Sequence, residues 1–410
     1  MRNALDNPFS PGSDIVPEVW AGRTQQLNDW RDVLRPRRMA GLPERGRTIL
    51  GEPGLGKSSL VRRIADDARA RGDWVTPQLR IPSGADPLKL VASAVLDLAD
   101  QAGLAARREK RIRELLARVE SVEASGFALT LRDREGPEPY RVLADILVEV
   151  GRTARHQNRV ALIHIDEVQN ITNENVLSQL LIALGDAIGH EDDVELPGGL
   201  VAKRTLPLAV YLTGLPDFED RAGAHKGATF ARRFQTTTLT GIDDEDLNAA
   251  LRQFVFDGWE VPTEEGGTAR VRMEQNAADT VVDLCRGEPF LFQLAGEKAW
   301  YAGSGETITL EQVRAGWRGA ESEAGAHVER IVSRLPQRER DFLQAMADLP
   351  AERRRFSIIA AEAGFAKATD AGPTAQRLDT IRRIIKRGSK YSFQHRAVEA
   401  YMTTDWPSID

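Results

Sequence analysis

The chain has 410 residues, 41% of them hydrophobic and 28% charged, with a formal charge of −6. That length implies two or three domains of ordinary soluble globular composition, with no overall basic excess to announce a nucleic-acid binder, although a local basic patch on an acidic protein stays open. A single cysteine, Cys285, excludes an intramolecular disulfide and a cysteine metal cage and fits a reducing compartment.

Residues 1–6 carry no apolar run of the secretory kind, and no stretch approaches the roughly 20 apolar residues that span a bilayer, so the expectation is a cytoplasmic protein without a membrane partner. Residues 1–20 hold Pro8, Pro11, Gly12 and Pro17 among a few apolar anchors, the composition of an extended leader lying on something larger. Thr24 is placed to cap a short helix in which Leu27, Trp30 and Leu34 recur at helical spacing. From Thr48 the pattern runs strand, glycine-rich loop, helix: Ile49-Leu50 lead into the glycines, and 59–70 sets Leu60, Ile64 and Ala68 on one face. A strand is expected within 74–81 and a helix over 87–104, with Leu88, Val91, Val95 and Leu98 on its apolar side.

A helix of mixed charge at 107–119 and an alternating strand at 127–131, ending at Gly136-Pro137, read as an insertion over 105–140. A helix over 140–154 precedes Val160-Ala161-Leu162-Ile163-His164-Ile165, a continuous apolar run of the kind a buried parallel strand shows. Leu208-Ala209-Val210-Tyr211-Leu212 is a second such run. Strands alternating with helices imply a parallel sheet with crossover helices on its faces. Past Thr240 the strand pattern stops, and 242–320 predicts about four helices and an all-α lid. From about Ala326 the order is helix, helix, helix and a small hairpin, 384–387 with 390–393, turned at Gly388-Ser389, which is the pattern of a winged helix.

Gly51-Glu52-Pro53-Gly54-Leu55-Gly56-Lys57-Ser58 fits the phosphate-binding loop G-x-x-x-x-G-K-[ST] in full, and it follows a strand and opens a helix as that loop must. Its glycines let backbone N–H groups point at phosphate oxygens, and the helix behind it, from Ser59, adds its positive end. Lys57 supplies a point charge to the β- and γ-phosphates of ATP, and the Ser58 hydroxyl is a ligand for Mg²⁺. The matching acidic residues stand directly after the buried run: Asp166 to hold the Mg²⁺ shell, and Glu167 to orient and polarise the attacking water.

These motifs resemble an AAA+ ATPase of the origin-recognition/initiator and STAND-like group. The resemblance spans nearly the whole chain. It is carried by Trp20-Ala21-Gly22-Arg23, the phosphate-binding loop, Ile165-Asp166-Glu167-Val168-Gln169, Leu212-Thr213-Gly214-Leu215-Pro216 and Gly287-Glu288-Pro289-Phe290. It implies that Val19, Trp20 and Arg23 line the adenine side of the pocket, that Thr213 sits where a polar sensor of the γ-phosphate is placed, and that Arg232 or Arg233 serves a neighbouring subunit as an arginine finger. Where many relatives place a second sensor arginine after the lid glycine, this chain has Gly287-Glu288-Pro289. That form resembles STAND proteins, whose proline packs near the base, and favours a slow, switch-like cycle.

The basic residues Arg377, Arg382, Arg383, Lys386, Arg387 and Lys390 face a single acidic residue, Asp379, and form the candidate nucleic-acid surface, through sequence-independent, salt-sensitive phosphate contacts. Winged helices also dock proteins, and basic helix ends complement their own dipole. The histidines lack metal-ligand spacing; His164 reads as a hydrogen-bonded core residue and Cys285 as packing.

The fold class expected is α/β: a P-loop NTPase parallel-sheet core with an all-α lid and a C-terminal winged-helix domain. The expected division is 1–46 leader and first helix packing on the core, 47–240 core, 241–325 lid and 326–410 winged helix. The leading functional expectation is an ATP- and Mg²⁺-dependent switch that couples nucleotide state to DNA binding as a homo-oligomer, in the manner of an initiator or loader. Two alternatives stand beside it: a signalling or defence NTPase whose winged helix binds a protein partner, and a nucleotide-dependent DNA scaffold such as a transposition regulator.

Overall fold

A computed structural model describes residues 2–12, 15–101, 138–218, 232–263 and 266–409. The insertion expected at 105–140 lies almost wholly outside the described residues. The chain forms two compact units, one of 24–50 and 60–237, the other of 1–23, 51–59 and 238–410.

The first unit is built on a sheet of order β2-β4-β7-β1-β8, with β3 also on β4. Its strands are β1 Gly46–Leu50, β2 Trp74–Val75, β3 Leu79–Arg80, β4 Ala161–Asp166, β7 Leu208–Gly214 and β8 Phe234–Thr238. β1, β2, β3 and β4 join β4 or β7 in parallel. Parallel strands covered on both faces need apolar residues at every position, and β4 and β7 are buried along their full length. Helix Lys57–Ala70 turns Leu60, Val61, Ile64, Ala65 and Ala68 inward, and helices Pro87–Gln101, Pro139–His156 and Glu174–Gly189 supply the other apolar faces. Each fully buried Leu or Ile in such a core stabilises by roughly 1.5–3 kcal/mol.

The short helix expected near Trp30 is a helix, Thr24–Asn28, a wide π turn, Asp29–Leu34, and a second helix, Arg35–Met39. Trp30 Nε1 donates to Asp67 at 3.0 Å, and Arg47 grips Asp29 with two bonds of 2.7 and 3.0 Å, which fixes the segment. A hairpin of β5 Glu191–Leu196 and β6 Leu200–Thr205 stands out from this unit. Gly198 and Gly199, both at positive φ, make its turn, and Leu200 and Val201 are exposed there. Its base is fastened by Asp192, which accepts from Arg152 at 2.8 Å and Arg155 at 2.7 Å.

Among the described residues the second unit holds four helices between 242 and 320: Asp244–Phe256, Gln275–Leu284, Pro289–Tyr301 and Leu310–Arg318. The expectation of an all-α lid is corrected, because β9 Trp259–Pro262, β10 Thr268–Met273 and β11 Thr307–Ile308 form a three-stranded sheet among them. Buried Val271 and Met273 alternate there with exposed Arg270 and Arg272, a period-two pattern too short and too charged to stand out from a loop. Helices Glu321–Ser333, Gln337–Asp348, Phe356–Glu362 and Gly372–Gln376 follow, then the antiparallel pair β12 Ile385–Lys386 and β13 Ser392–Phe393, and helix Arg396–Thr403. One hydrophobic core runs through all of these. The leader is part of it: the Phe9 ring stacks on Phe254 at 5.4 Å and fills the space above Gly296, where any side chain would collide with it. Among the described residues no helix is long and apolar enough to cross a membrane.

Candidate nucleotide-binding site

Residues 51–56 leave the carboxyl end of β1 and enter helix Lys57–Ala70. Gly54 and Gly56 take φ of +85° and +75°, values that side chains rarely adopt. Lys57 Nζ bonds the carbonyls of Gly51 and Glu52 at 2.9 and 3.0 Å, so the ammonium sits over its own loop. Ser58 and Ser59 open the helix, half-buried.

Within the same unit the loop is held from outside by the C-terminal half of the chain. The Phe290 amide donates to the Gly54 carbonyl at 3.1 Å, and Pro289, the first residue of its helix, lies beside Gly56. The His327 ring packs on Gly54 and tilts against Phe290 at 4.5 Å, with its Nε2 2.9 Å from Glu288 Oε1. His395, pushed down by burial, lies behind the same carboxylate at 3.7 Å. Residues 240–244, 286–288 and 394–396 line a pocket of about 290 Å³ that includes Glu288. Glu52 is buried and lies 3.8 Å from Arg382 Nη1.

Of the residues given to the base, Arg23 reaches the loop: its guanidinium donates to Leu55 O at 2.9 Å and Thr240 O at 2.8 Å. Burial lowers it to about 10, against an opposing pull from Asp246, so it stays charged at neutral pH. Val19 is buried with its carbonyl accepting from Gln293 at 2.7 Å, and Trp20 Nε1 donates to Gly22 O at 2.9 Å.

In the other unit β4 ends at Asp166, and Glu167 follows it directly. Asp166 is 1% exposed; its Oδ2 accepts from Gln78 Nε2 at 2.5 Å and its Oδ1 from the Glu167 amide at 2.9 Å and from the Thr213 hydroxyl. His164 Nε2 lies 3.1 Å from the same hydroxyl. Glu167 holds φ +59° and accepts from Gln169 Nε2, while Gln169 Oε1 accepts from the Leu215 amide at 3.2 Å. Gln78 has no role in the sequence reading, Gln169 has only its place two residues past Glu167, and His164 has that of a hydrogen-bonded core residue. Arg232 and Arg233 are both exposed, and Arg233 pairs with Asp186.

The six basic residues near the C-terminus divide. Arg377 and Arg382 share Glu339, which is 2% exposed, at 3.0 and 3.3 Å. Arg383, Lys386, Arg387 and Lys390 are exposed, with Arg387 on Asp379 at 2.8 Å.

Residues 19–190 match a family model described as an AAA ATPase domain. No curated protein sequence matches the chain. Among solved structures, the ORC2 protein of Aeropyrum pernix, in its ADPNP-ADP complexes, is similar at 15% identity and a TM-score of 0.54, covering 96% of this chain and 95% of that one. A Walker-type ATPase of Pyrococcus abyssi is similar at 14% identity and a TM-score of 0.52, covering 93% of this chain and 96% of that one. At such identities the likeness is one of fold. Residues 19–190 therefore match an AAA ATPase domain, and the described residues form a parallel-sheet P-loop NTPase fold.

Proposed function

We propose that the protein is an Mg²⁺-dependent ATPase switch in which the state of the phosphate-binding loop is read by the C-terminal half and coupled to DNA binding in an oligomer. The observation that carries this reading is the Phe290–Gly54 hydrogen bond together with the Arg382–Glu52 ion pair, which tie the loop to two separate C-terminal elements. A change at the loop on nucleotide binding or loss has a direct route into those elements, and differential affinity for two nucleotide states is what moves such an equilibrium.

The residues fit the chemistry. Among the described residues no cluster of three or more His, Cys, Asp or Glu is placed to hold a metal. Mg²⁺ does not need one, since it keeps several waters and takes one or two carboxylates plus phosphate oxygens. Asp166 and the Ser58 hydroxyl supply oxygen ligands of that kind, and when bound the ion neutralises charge developing on the phosphates. Lys57 exchanges its carbonyl bonds for the β- and γ-phosphates, the loop amides of 51–59 cradle them, and Glu167 orients the water. Val19, Trp20, Arg23 and Pro289 bound the base. Thr213 serves through Asp166, and Arg232 or Arg233, both exposed, supplies a neighbouring copy's site.

The exposed set Arg383, Lys386, Arg387 and Lys390 on the C-terminal winged-helix segment contacts DNA phosphates. The test is binding of a labelled duplex with ATP, ADP or no nucleotide across a salt series. ATP-dependent binding that weakens steeply with salt supports the reading. No binding in any state favours the second reading, a signalling ATPase whose C-terminal segment docks a protein; the commitment of Arg377 and Arg382 to the buried carboxylate of Glu339 speaks for that one.

A further inference from the structure

Asp166 is held by a chain of hydrogen bonds that begins at His164, a buried residue outside the nucleotide chemistry proposed above. His164 and Asp166 stand two apart on β4 and so point to the same face of the sheet. The register pairs His164 with Tyr211 and Ile165 with Leu212, which sets Thr213 of β7 beside Asp166. All three side chains are sealed from solvent, at 2%, 0% and 1% exposure for His164, Thr213 and Asp166.

The direction of the chain follows from counting protons. A hydroxyl has one to give, and Thr213 gives it to the Asp166 carboxylate, which accepts only. Thr213 Oγ1 must therefore accept at its other contact, so the imidazole carries its proton on Nε2. An imidazole in the middle of an apolar strand is costly unless its polar atoms are used.

We propose that His164 is a positioning residue for the metal-holding carboxylate: by donating through Nε2 to Thr213 it locks that hydroxyl toward Asp166 Oδ1 and, with Gln78 on Oδ2, fixes the orientation in which Asp166 meets Mg²⁺. This rests on the reading of Asp166 as a Mg²⁺ ligand given above. Thr213 is accordingly the middle of a relay of orientation, and its one proton is committed to Asp166.

The test uses the full chain with ADP and Mn²⁺ as the spectroscopic probe, its affinity read by electron paramagnetic resonance, beside ADP affinity measured without metal. His164→Phe keeps a ring of similar size and removes the donor; His164→Gln keeps a donor at the same reach. Loss of an outer-shell partner weakens metal binding about 10- to 100-fold. The expected result is a loss of about 10-fold in Mn²⁺ affinity for His164→Phe, most of it restored in His164→Gln, with metal-free ADP affinity unchanged in both. Thr213→Val should show a similar loss, and adding His164→Phe to it should cost nothing more, because the relay is already cut. Wild-type Mn²⁺ affinity in His164→Phe, or full additivity in the double variant, overturns the inference. Asp166→Asn separates the two layers. If it weakens Mn²⁺ while His164→Phe does not, only the inference fails; if it leaves Mn²⁺ affinity unchanged, the reading of Asp166 fails and takes the inference with it.

Discussion

The amide of Phe290 donates to the carbonyl of Gly54 at 3.1 Å, so the first turn of helix Pro289–Tyr301 is fastened to the tip of the phosphate-binding loop. The Gly54 carbonyl is thereby satisfied, and the His327 ring occupies the space where a Gly54 side chain would stand.

Gly54 therefore tolerates no side chain. A Cβ there would lie 2.5 Å from His327 Cε1, on a residue at φ +85°. Strain of that backbone kind costs about 1–3 kcal/mol, a factor of roughly 5 to 150 in a binding constant. Gly54→Ala should weaken ATP binding by at least about 5-fold by calorimetry. Adding His327→Ala should recover only part of the loss, since it removes the collision and leaves the φ penalty.

The two arginines on Glu339 should behave unlike their exposed neighbours. Removing the partner of a buried charge costs about 3–5 kcal/mol when nothing replaces it. In Arg382→Ala, Arg377 still reaches Glu339, so a loss of about 1–3 kcal/mol in thermal stability is expected, with release of Glu52 from the C-terminal segment. Arg383→Ala, at an exposed site, should stay within about 0.5 kcal/mol of the parent in the same melt. It should instead weaken duplex binding uniformly across sequences and flatten its salt dependence.

Hydrogen bonds from Arg152, and after it from Arg155 and His190, hold the Asp192 carboxyl far below the usual carboxylate range. A carboxyl with a depressed folded value contributes stability that is complete above its unfolded value near 3.9 and is lost as pH falls toward the folded one. Asp192→Asn should thus destabilise the protein by about 1–2 kcal/mol at neutral pH, with the hairpin β5–β6 the first segment to exchange its amides. The gap between parent and variant should narrow as the melts are taken below about pH 4. A constant gap down to pH 2 would contradict this.

The loop at 51–58 and the acidic pair after β4 were legible because both are local: glycines and a lysine at fixed spacing, and carboxylates after an apolar run. The sheet was legible for the same reason, since β4 and β7 are buried on both faces and their residues say so without reference to a partner. What the sequence hid depends on register and distance. Gln78 meets Asp166 across 88 residues, and nothing near Gln78 marks it. Arg377 and Arg382 read as part of a nucleic-acid surface because the buried carboxylate they share, Glu339, lies 38 and 43 residues away in sequence. Strands β9 and β10 were missed because their arginines and glutamate mask the alternation of Val261, Val271 and Met273. The hairpin β5–β6 went unread although Pro197-Gly198-Gly199 marks its turn, because its strands are rich in charged residues, with Asp192 and Asp193 opposite Arg204 and Lys203, and carry little apolar alternation.

The most direct measurement is Mg²⁺-dependent phosphate release from ATP by the purified chain, run beside ATP binding for Lys57→Ala and Glu167→Gln. The account predicts that the parent turns ATP over, however slowly, that Lys57→Ala fails to bind it, and that Glu167→Gln binds it as the parent does and releases no phosphate. Parent-level turnover in Glu167→Gln would contradict the site described here.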